Sequence, residues 1–308
     1  MSKLTSTQLN NNAAFLSQPA IEVGLLTRIG YFLRMVDIGH TLFALPFAYL
    51  GAFLAAGGIP TLTDLWWITV AMVGARTAAL CLNRMIDRHI DARNPRTAGW
   101  ILPQRLVSLS AVWGSIFVSF FLMLWAAAKL NPLCVKLAPL AVMVLVIYSY
   151  TKRFTWTCHL ILGLAIGLGP LGAWIAITES IAWTPVLVYL AVAFWIAGFD
   201  MMYACQDEEF DRQEGLYSVP ARFGTPATLR ISTILHGLTI CLLIGVGVIQ
   251  GLGWLYYIGI GIAATILCYE HWLITPNDLS KMHTAAFQLN RYVSLILFVF
   301  TLIDLVWI

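Results

Sequence analysis

The sequence predicts an all-α integral membrane bundle of nine transmembrane helices, built as two pseudo-repeat halves. Its composition is the first observation: of 308 residues, 60% are hydrophobic and 11% charged, with a mean hydropathy of +0.81. Soluble domains carry about 25% charged residues, so the lipid bilayer is the expected solvent for most of this surface. The net charge of +3 gives no support for a nucleic-acid partner.

Apolar runs recur along the chain at the length of about 20 residues that a helix needs to cross a bilayer. Short polar breaks separate them. The predicted spans are 35–56, 64–86, 105–128, 134–151, 159–178, 183–206, 228–249, 253–272 and 288–307. Residues 1–24 are predicted to form a mobile polar tail, because they lack the compact apolar core of a secretory signal. The predicted membrane domain is therefore 25–308.

The basic residues predict the orientation of the bundle. If the spans are threaded in order, 16 of the 18 Lys and Arg residues fall on one side, and only Lys129 and Lys136 fall on the other. Cytoplasmic loops carry the excess of basic residues in membrane proteins. We therefore expect the N-terminus and the loops after the even-numbered spans to be cytoplasmic, and the C-terminus to lie outside.

A polar island, CLNRMIDRHIDARNPRT at 81–97, interrupts this apolar sequence. Asn83, Asp87 and Asp91 are spaced four apart, so on a helix they share one face. Three oxygen ligands in that arrangement suit a hard cation such as Mg²⁺. The alternative is a solvated loop beyond the end of a membrane helix.

A second island, DMMYACQDEEFDRQEG at 200–215, repeats the spacing. Tyr203, Asp207 and Asp211 each lie 120 positions after their counterparts in the first island. This register predicts two related halves, in which the first four predicted spans are echoed by the next four. It also favours a shared site over two unrelated solvated loops, since sites often form between such repeats.

Two acidic clusters that face each other need cations between them, because like charges at close range are unfavourable. Two Mg²⁺ ions bridged by a diphosphate meet that need, and paired metals stabilise a leaving oxygen. Lys152 and Arg153 would supply further positive charge for the anion. A diphosphate leaving group beside a lipid-exposed cleft indicates an isoprenoid diphosphate.

The motifs NxxxDxxxD at 83–91 and DxxYxxxDxxxD at 200–211 resemble those of the UbiA superfamily of intramembrane prenyltransferases. The stretches YSYTKR at 148–153, GLYSVPARFG at 215–224 and HTLFALPFAYLGA at 40–52 are also similar to that superfamily. The resemblance covers nearly all of the chain after about residue 25. The subgroup that the chain most resembles is the 4-hydroxybenzoate polyprenyltransferases and their relatives in menaquinone synthesis.

The resemblance implies Mg²⁺-dependent transfer of a polyprenyl chain from its diphosphate to an aromatic ring, inside a nine-helix fold with a central cavity. The implied metal ligands are Asn83, Asp87, Asp91, Asp207 and Asp211, and the four aspartates are the implied catalytic residues. The predicted diphosphate-binding residues are Arg88, Tyr148, Lys152 and Arg153. The implied partners are a polyprenyl diphosphate, an aromatic acid and the lipid bilayer.

The chain departs from its relatives at two places. Trp100 occupies the position where many relatives carry the arginine of an Arg-Pro pair after the first motif. The first predicted span reads RMVDIGHT at 34–41, without the Asp-Lys-Pro run of the ubiquinone enzymes. The first departure concerns one phosphate contact or a loop conformation, and the second concerns the identity of the acceptor.

Five further residues are candidates for the acceptor site or the cavity wall: Arg34, His40, Arg76, Asp200 and Tyr203. Arg76 is seven residues before Asn83, about two turns deeper in the membrane, where an unpaired arginine is costly. It either holds the carboxylate of an aromatic acid or forms a structural pair with Asp200 or Asp37. Asp200 and Tyr203 are predicted to line the cavity.

The other two candidates have simpler alternatives. Arg34, near Asp37, is the better match to an interfacial anchor, and His40 fits a packing histidine as well as an acceptor contact.

The favoured function is transfer of a polyprenyl group to an aromatic acid, with 4-hydroxybenzoate as the favoured acceptor. A naphthoate-type acid of menaquinone synthesis is the alternative acceptor. A membrane transporter is the alternative from another class, since intramembrane charges and repeats occur there too, although the acidic residues cluster at one membrane face. A non-catalytic assembly factor would not need matched metal ligands.

Overall fold

The computed structural model describes residues 24–36 and 38–307, and all its long elements are helices. The predicted tail therefore lies outside the described residues except for Gly24, and Asp37 lies outside as well. In chain order the helices are α1 Leu25–Met35, α2 Ile38–Ala56, α3 Leu62–Asp91, α4 Leu109–Leu130, α5 Pro132–Thr151, α6 Cys158–Thr178, α7 Trp183–Ala204, α8 Glu208–Glu214, α9 Val219–Phe223, α10 Thr225–Gln250, α11 Trp254–Leu273 and α12 Asn290–Trp307.

Seven helical segments within the described residues are long and apolar enough to cross a membrane by length and composition. They are Leu62–Asp91, Leu109–Leu130, Pro132–Thr151, Cys158–Thr178, Trp183–Glu214, Thr225–Gln250 and Thr284–Trp307. The helices at the first and eighth predicted spans, α2 and α11, are not among these seven. The all-α membrane class is thus confirmed, while the count of nine spans remains a prediction.

Several helix ends differ from the predicted spans because capping residues, and not hydropathy, set them. Helix α3 begins after Thr61, whose hydroxyl accepts the backbone N–H of Asp64 at 3.1 Å, and it runs beyond the predicted end at 86 to Asp91. Helix α4 begins after Ser108, an N-cap of the same kind, and not at the predicted position 105. Helix α1 was not predicted as a separate helix.

The helices pack in the same order in both halves of the chain. Helix α3 packs along α4 as α7 packs along α10, and α2 contacts α3 as α6 contacts α7. Helix α12 returns to α2 and closes the ring. The two halves meet where α2 crosses α6, at a glycine: a Cβ on Gly51 would lie 2.2 Å from the carbonyl oxygen of Pro170. A glycine at such a crossing lets the backbones of two membrane helices come into direct contact.

The segment between α3 and α4 covers the end of the bundle where both acidic motifs lie. It consists of consecutive turns over residues 92–107, and its apolar side chains hold it in place. Leu102 and Val107 are buried in one cluster with Met85 of α3 and with Met35 at the end of α1. This covering segment, residues 92–107, is therefore packed onto the bundle and carries its polar residues to the site.

Candidate active site

The first acidic motif lies on the last two turns of α3. The side chains of Asp87 and Asp91 are buried, with 2% and 8% of each residue exposed. Asn83, one turn earlier on the same face, donates a hydrogen bond from Nδ2 to Oδ2 of Asp87 at 3.1 Å. The four-residue spacing on one helix face, predicted from the sequence, is therefore present for this motif.

Two basic residues at the end of α5 neutralise Asp87. Lys152 Nζ lies 2.7 Å from Oδ2, and Arg153 Nη2 lies 2.8 Å from Oδ1. Arg153 is fixed further, because it also donates to the backbone carbonyls of Ile86 and Ser149. The structure thus brings the predicted diphosphate residues Lys152 and Arg153 directly to the first motif.

The second motif is not on one continuous helix. Helix α7 ends at Ala204, a short 3₁₀ turn covers Cys205–Asp207, and α8 then begins at Glu208. A 3₁₀ turn has 3.0 residues per turn instead of 3.6, so it rotates Asp207 and Asp211 relative to the face that an unbroken helix would give them. The repeat therefore holds in sequence, but the two motifs differ in local geometry.

A glutamate fixes the turn at the start of α8. Oε2 of Glu208 accepts hydrogen bonds from the backbone N–H of Thr225 at 2.8 Å and from its hydroxyl at 2.6 Å. Thr225 is the first residue of α10, so this contact ties the second motif to the next long helix.

The covering segment connects the two motifs through Asp207. Arg96 forms a bidentate ion pair with this carboxylate and also donates to the hydroxyl of Tyr203 at 2.8 Å. Asn94 adds a third hydrogen bond to Asp207, from Nδ2 at 2.9 Å. A second contact is the ion pair between Arg93 and Glu214 at 2.7 Å. Neither Asn94 nor Arg96 was among the predicted site residues.

The charges of the site act on one another across the two motifs. Lys152 is within electrostatic reach of Asp91 in the first motif and of Asp211 in the second, and Arg96 is within reach of both Asp91 and Asp207. Burial lowers the pKa of Arg96, but the hydrogen bonds and charge of Asp207 outweigh burial, so the pKa is raised. The two motifs therefore form one site with alternating acidic and basic groups.

The donor set fits Mg²⁺ in chemistry. It consists of carboxylate and amide oxygens, which this ion prefers. The buried carboxylate of Asp87 and the partly buried carboxylate of Asp207 already attract cationic side chains. Within the described residues no three Asp, Glu, His or Cys side chains converge closely enough to form a metal cluster. Assignment of the five predicted residues as metal ligands stays a prediction.

An apolar cavity of about 330 Å³ lies between α3, α4, α5 and α6. It extends along α6 from Leu162 to Ala176, about 21 Å at 1.5 Å per residue. Most of its lining is alanine, glycine or leucine, and Arg76 and Tyr148 are polar residues in its wall. The hydroxyl of Tyr148 donates to the carbonyl of Ala79 at 3.1 Å. The predicted cavity is thus present, and one end of it approaches the acidic motifs.

The remaining predicted residues have varied positions. Arg88 donates to the carbonyl of Met85 within its own helix at 2.7 Å. Asp200 pairs with His159, at 2.7 Å between Oδ2 and Nδ1; His159 was not singled out in the sequence. Arg34 is exposed at the end of α1, and the side chain of His40 lies outside the part of the chain that is described.

Trp100 takes part in the site through its ring. The guanidinium carbon of Arg84, on α3, lies 3.7 Å from the ring centroid, and that of Arg96 lies 5.6 Å from it. Arginine stacks on aromatic faces in this way. The departure noted in the sequence therefore introduces a stacking platform for two site arginines.

A model of the UbiA prenyltransferase family matches residues 44–293. A 4-hydroxybenzoate octaprenyltransferase from Aeromonas salmonicida (strain A449) is 32% identical over 250 residues, which cover 80% of this chain and 85% of that protein. The enzyme of the same name from Alkalilimnicola ehrlichii is 29% identical over 294 residues, which cover 95% of this chain and 97% of that protein.

Solved structures show the same fold. The apo structure of a UbiA homologue from Aeropyrum pernix K1 has a TM-score of 0.77 and 31% sequence identity, and the match covers 86% of this chain and 98% of the homologue. A UbiA homologue from Archaeoglobus fulgidus, solved bound to GPP and Mg²⁺, has a TM-score of 0.61 and 21% identity, covering 87% and 99% of the two chains. At that identity the second likeness bears on the fold alone.

Proposed function

Because the chain belongs to the UbiA prenyltransferase family, we propose that it transfers a polyprenyl group from a polyprenyl diphosphate to the ring of an aromatic acid in quinone biosynthesis, with 4-hydroxybenzoate as the favoured acceptor. The relatives at about 30% identity carry the name of that enzyme. A membrane-embedded transferase also accounts for acidic residues clustered at one end of the bundle, which a transport pathway would place near the middle.

One observation carries the proposal: a charged site and an apolar cavity adjoin each other in the same bundle. The charged site joins the two acidic motifs through Lys152 and Arg96. The cavity begins beside Tyr148 and is lined almost wholly by apolar atoms. A polyprenyl diphosphate matches this arrangement. Its charged diphosphate suits the charged site, and its long apolar tail suits the apolar cavity.

The charge of each residue around the diphosphate determines the role that we propose for it. Asn83, Asp87, Asp91, Asp207 and Asp211 hold the metal–diphosphate, and we propose two Mg²⁺ ions there. When bound, Mg²⁺ neutralises the charge that develops on the departing diphosphate. Lys152 and Arg153 lie against the first motif, so their N–H donors are placed to bind phosphate oxygens when the metal neutralises Asp87. Arg88 and Tyr148 remain assigned to the same group.

The reaction breaks the allylic C–O bond of the donor. The electron pair leaves with the diphosphate, the ring carbon ortho to the phenol oxygen forms the new C–C bond, and that carbon then loses its proton. The apolar cavity wall excludes water from the allylic cation. Arg76 lies in that wall and is proposed to bind the acceptor carboxylate, with Asp200, Tyr203, His40 and Arg34 as further acceptor or cavity residues.

The acceptor is tested with membranes that contain the protein, a labelled polyprenyl diphosphate and a panel of aromatic acids. We expect a labelled prenylated product from 4-hydroxybenzoate, and loss of that product when EDTA removes Mg²⁺. A naphthoate-type acid that reacts in its place would replace the acceptor and leave the reaction class intact. Flux of an organic anion without product would reject the transferase.

The same assay tests the orientation, which we propose to be cytoplasmic for the N-terminus and the site loops and external for the C-terminus. In sealed inside-out vesicles, Mg²⁺ added to the medium should reach the site and support transfer at once. In right-side-out vesicles depleted of internal Mg²⁺, transfer should wait until a detergent opens the membrane. The opposite pattern would invert the assignment.

A further inference from the structure

Arg84 is held in the site by an aromatic ring. Its guanidinium carbon lies 3.7 Å from the centroid of Trp100, well inside the range of about 6 Å at which such stacking is favourable. The backbone of Trp100 is tied to α3: its N–H donates to the carbonyl of Thr97, and the Thr97 hydroxyl donates to the carbonyl of Asp91. The covering segment therefore sets the position of the Arg84 guanidinium.

The hydrogen-bond donors of Arg84 are unused within the described residues. Lys152, Arg153 and Arg96 each pair with a carboxylate, whereas no carboxylate or carbonyl in that part of the chain accepts a hydrogen bond from Arg84. A guanidinium has five N–H donors in its plane. Stacking occupies the face of that plane, so the donors along its edge stay available for an anion.

Arg84 lies near residues of both acidic motifs. Arg84 is half-buried, and it is within electrostatic reach of Asp87 and Asp91 on α3, of Tyr148 on α5 and of Tyr203 on α7. These residues belong to the three helices that surround the space between the acidic motifs. A cation with unused donors at this place is matched to an anion that binds together with metal ions.

The position of Arg84 along α3 indicates which anion it binds. It follows Asn83 directly and therefore lies at the level of the acidic motif, whereas Arg76 lies two turns deeper in the cavity wall. We propose that Arg84 binds an oxygen of the donor diphosphate, and that Trp100 is the positioning residue which holds the guanidinium flat for that contact. This inference rests on the proposed function, because it requires a diphosphate at the acidic motifs.

Binding of inorganic pyrophosphate with Mg²⁺ to the purified protein in detergent tests the role of Arg84, by calorimetry and without catalysis. Charge-assisted hydrogen bonds are worth about 1.5–3 kcal/mol, so Arg84→Gln should raise the dissociation constant at least tenfold. Arg84→Lys should keep part of the affinity, since lysine has the positive charge but not the planar set of N–H donors of a guanidinium. The exposed Arg230, on α10, provides the matched control Arg230→Gln, which should bind like the parent.

A separate set of variants tests Trp100. Trp100→Phe keeps an aromatic face and should bind pyrophosphate nearly as well as the parent, whereas Trp100→Leu should weaken binding several-fold. In the Arg84→Gln background, Trp100→Leu should add nothing, because its effect acts through the arginine. In the transfer assay both Arg84→Gln and Trp100→Leu should raise the KM for the donor and leave the KM for the acceptor unchanged.

Three outcomes would overturn the inference. Parent-like pyrophosphate binding by a folded Arg84→Gln protein would remove Arg84 from the diphosphate site. A full loss in Trp100→Leu that persists in the Arg84→Gln background would make Trp100 a general structural residue. If the parent itself does not bind pyrophosphate with Mg²⁺, the proposed function fails first and the inference fails with it.

Discussion

Asp207 shows how a single carboxylate connects the two halves of the site. Within the described residues its carboxylate accepts hydrogen bonds from Arg96 and Asn94, and both belong to the covering segment that follows the first motif. The side chains of Arg96 and Asp207 are 27% and 12% exposed, so water screens their attraction only in part. The carboxylate that the proposed site needs for Mg²⁺ is therefore also the anchor of the segment above it.

Replacement of Arg96 separates these two roles. Arg96→Gln removes a positive charge that competes with Mg²⁺ for Asp207, and a partly exposed ion pair is worth up to about 1 kcal/mol. We expect the Mg²⁺ concentration for half-maximal transfer to fall about fivefold, because 1.4 kcal/mol corresponds to tenfold. The KM for the prenyl diphosphate should rise at the same time, since a positive charge near both acidic motifs is lost.

Titration of transfer activity with Mg²⁺ at fixed donor concentration measures the change. Arg212→Gln is the control, because Arg212 forms an exposed ion pair with Glu208 on the same side of the site. A higher Mg²⁺ requirement in Arg96→Gln than in the control would show that Arg96 helps the metal bind instead of competing with it.

Residue spacing predicted one part of this site and not another. Asn83, Asp87 and Asp91 could be placed together because a helix has a fixed period, and Lys152 and Arg153 follow directly from the end of a span. Asn94 and Arg96 lie in irregular turns, where no period relates sequence position to direction. His159 is an isolated histidine at a helix start, and only the packing of α6 on α7 brings it to Asp200.

At the scale of elements, hydropathy located the centres of the long helices and missed their functional ends. The later aspartates of each motif fall beyond the predicted span ends at 86 and 206, because polar residues end an apolar run. Helix α3 continues five residues past its predicted end. The 3₁₀ turn at Cys205–Asp207 has no hydropathy signal. The amphipathic α1 lies almost wholly before the first predicted span at 35–56, so hydropathy did not predict it.

Close backbone contacts of α6 give a prediction at the same scale. A Cβ on Gly163 would lie 2.1 Å from the carbonyl oxygen of Ala193 on α7, whereas a Cβ on Gly172 meets no atom within 4 Å. Both substitutions replace a helical glycine with alanine, which should stabilise α6 by about 1 kcal/mol. Only Gly163→Ala also forces α6 and α7 apart. Overpacking costs about 1–3 kcal/mol or more.

The melting temperature in detergent separates the two variants. Gly163→Ala should melt at least about 2 °C below the parent, and Gly172→Ala should melt at or above it. The two glycines lie on one helix, so differences in expression, detergent and intrinsic helix propensity cancel. Equal melting temperatures of the two variants would mean that α6 and α7 can move apart without loss of stability, which would contradict the close contact at Gly163.

At the scale of the whole molecule, the two halves share a helix order but not an interior. The 120-residue repeat in the motifs was sufficient to predict the order, because it constrains connectivity. It could not predict that only α3–α6 enclose the cavity. Among α7, α10, α11 and α12, large buried side chains such as Trp195 and Tyr256 fill the interior instead. The asymmetry follows from side-chain volume, which varies freely between repeats.

The asymmetry predicts where the prenyl tail of the donor binds. If the tail occupies the cavity along α6, a larger side chain there should shorten the donor that the protein accepts. Gly172 lines the cavity and has open space at its Cβ, so Gly172→Leu adds a large side chain to the cavity wall. Misfit of this kind costs about 1–3 kcal/mol, so transfer from a long polyprenyl diphosphate should fall roughly 5- to 150-fold.

A panel of donors of increasing chain length, with one acceptor, makes the result specific to the cavity. Donors too short to reach Gly172 should react in Gly172→Leu as in the parent, and the loss should begin at one chain length and persist beyond it. Gly237→Leu is the control, because Gly237 on α10 is likewise exposed and has open space at its Cβ, but it does not line the cavity. A uniform loss across all donors would place the tail elsewhere, since an effect on the charged site would not depend on chain length.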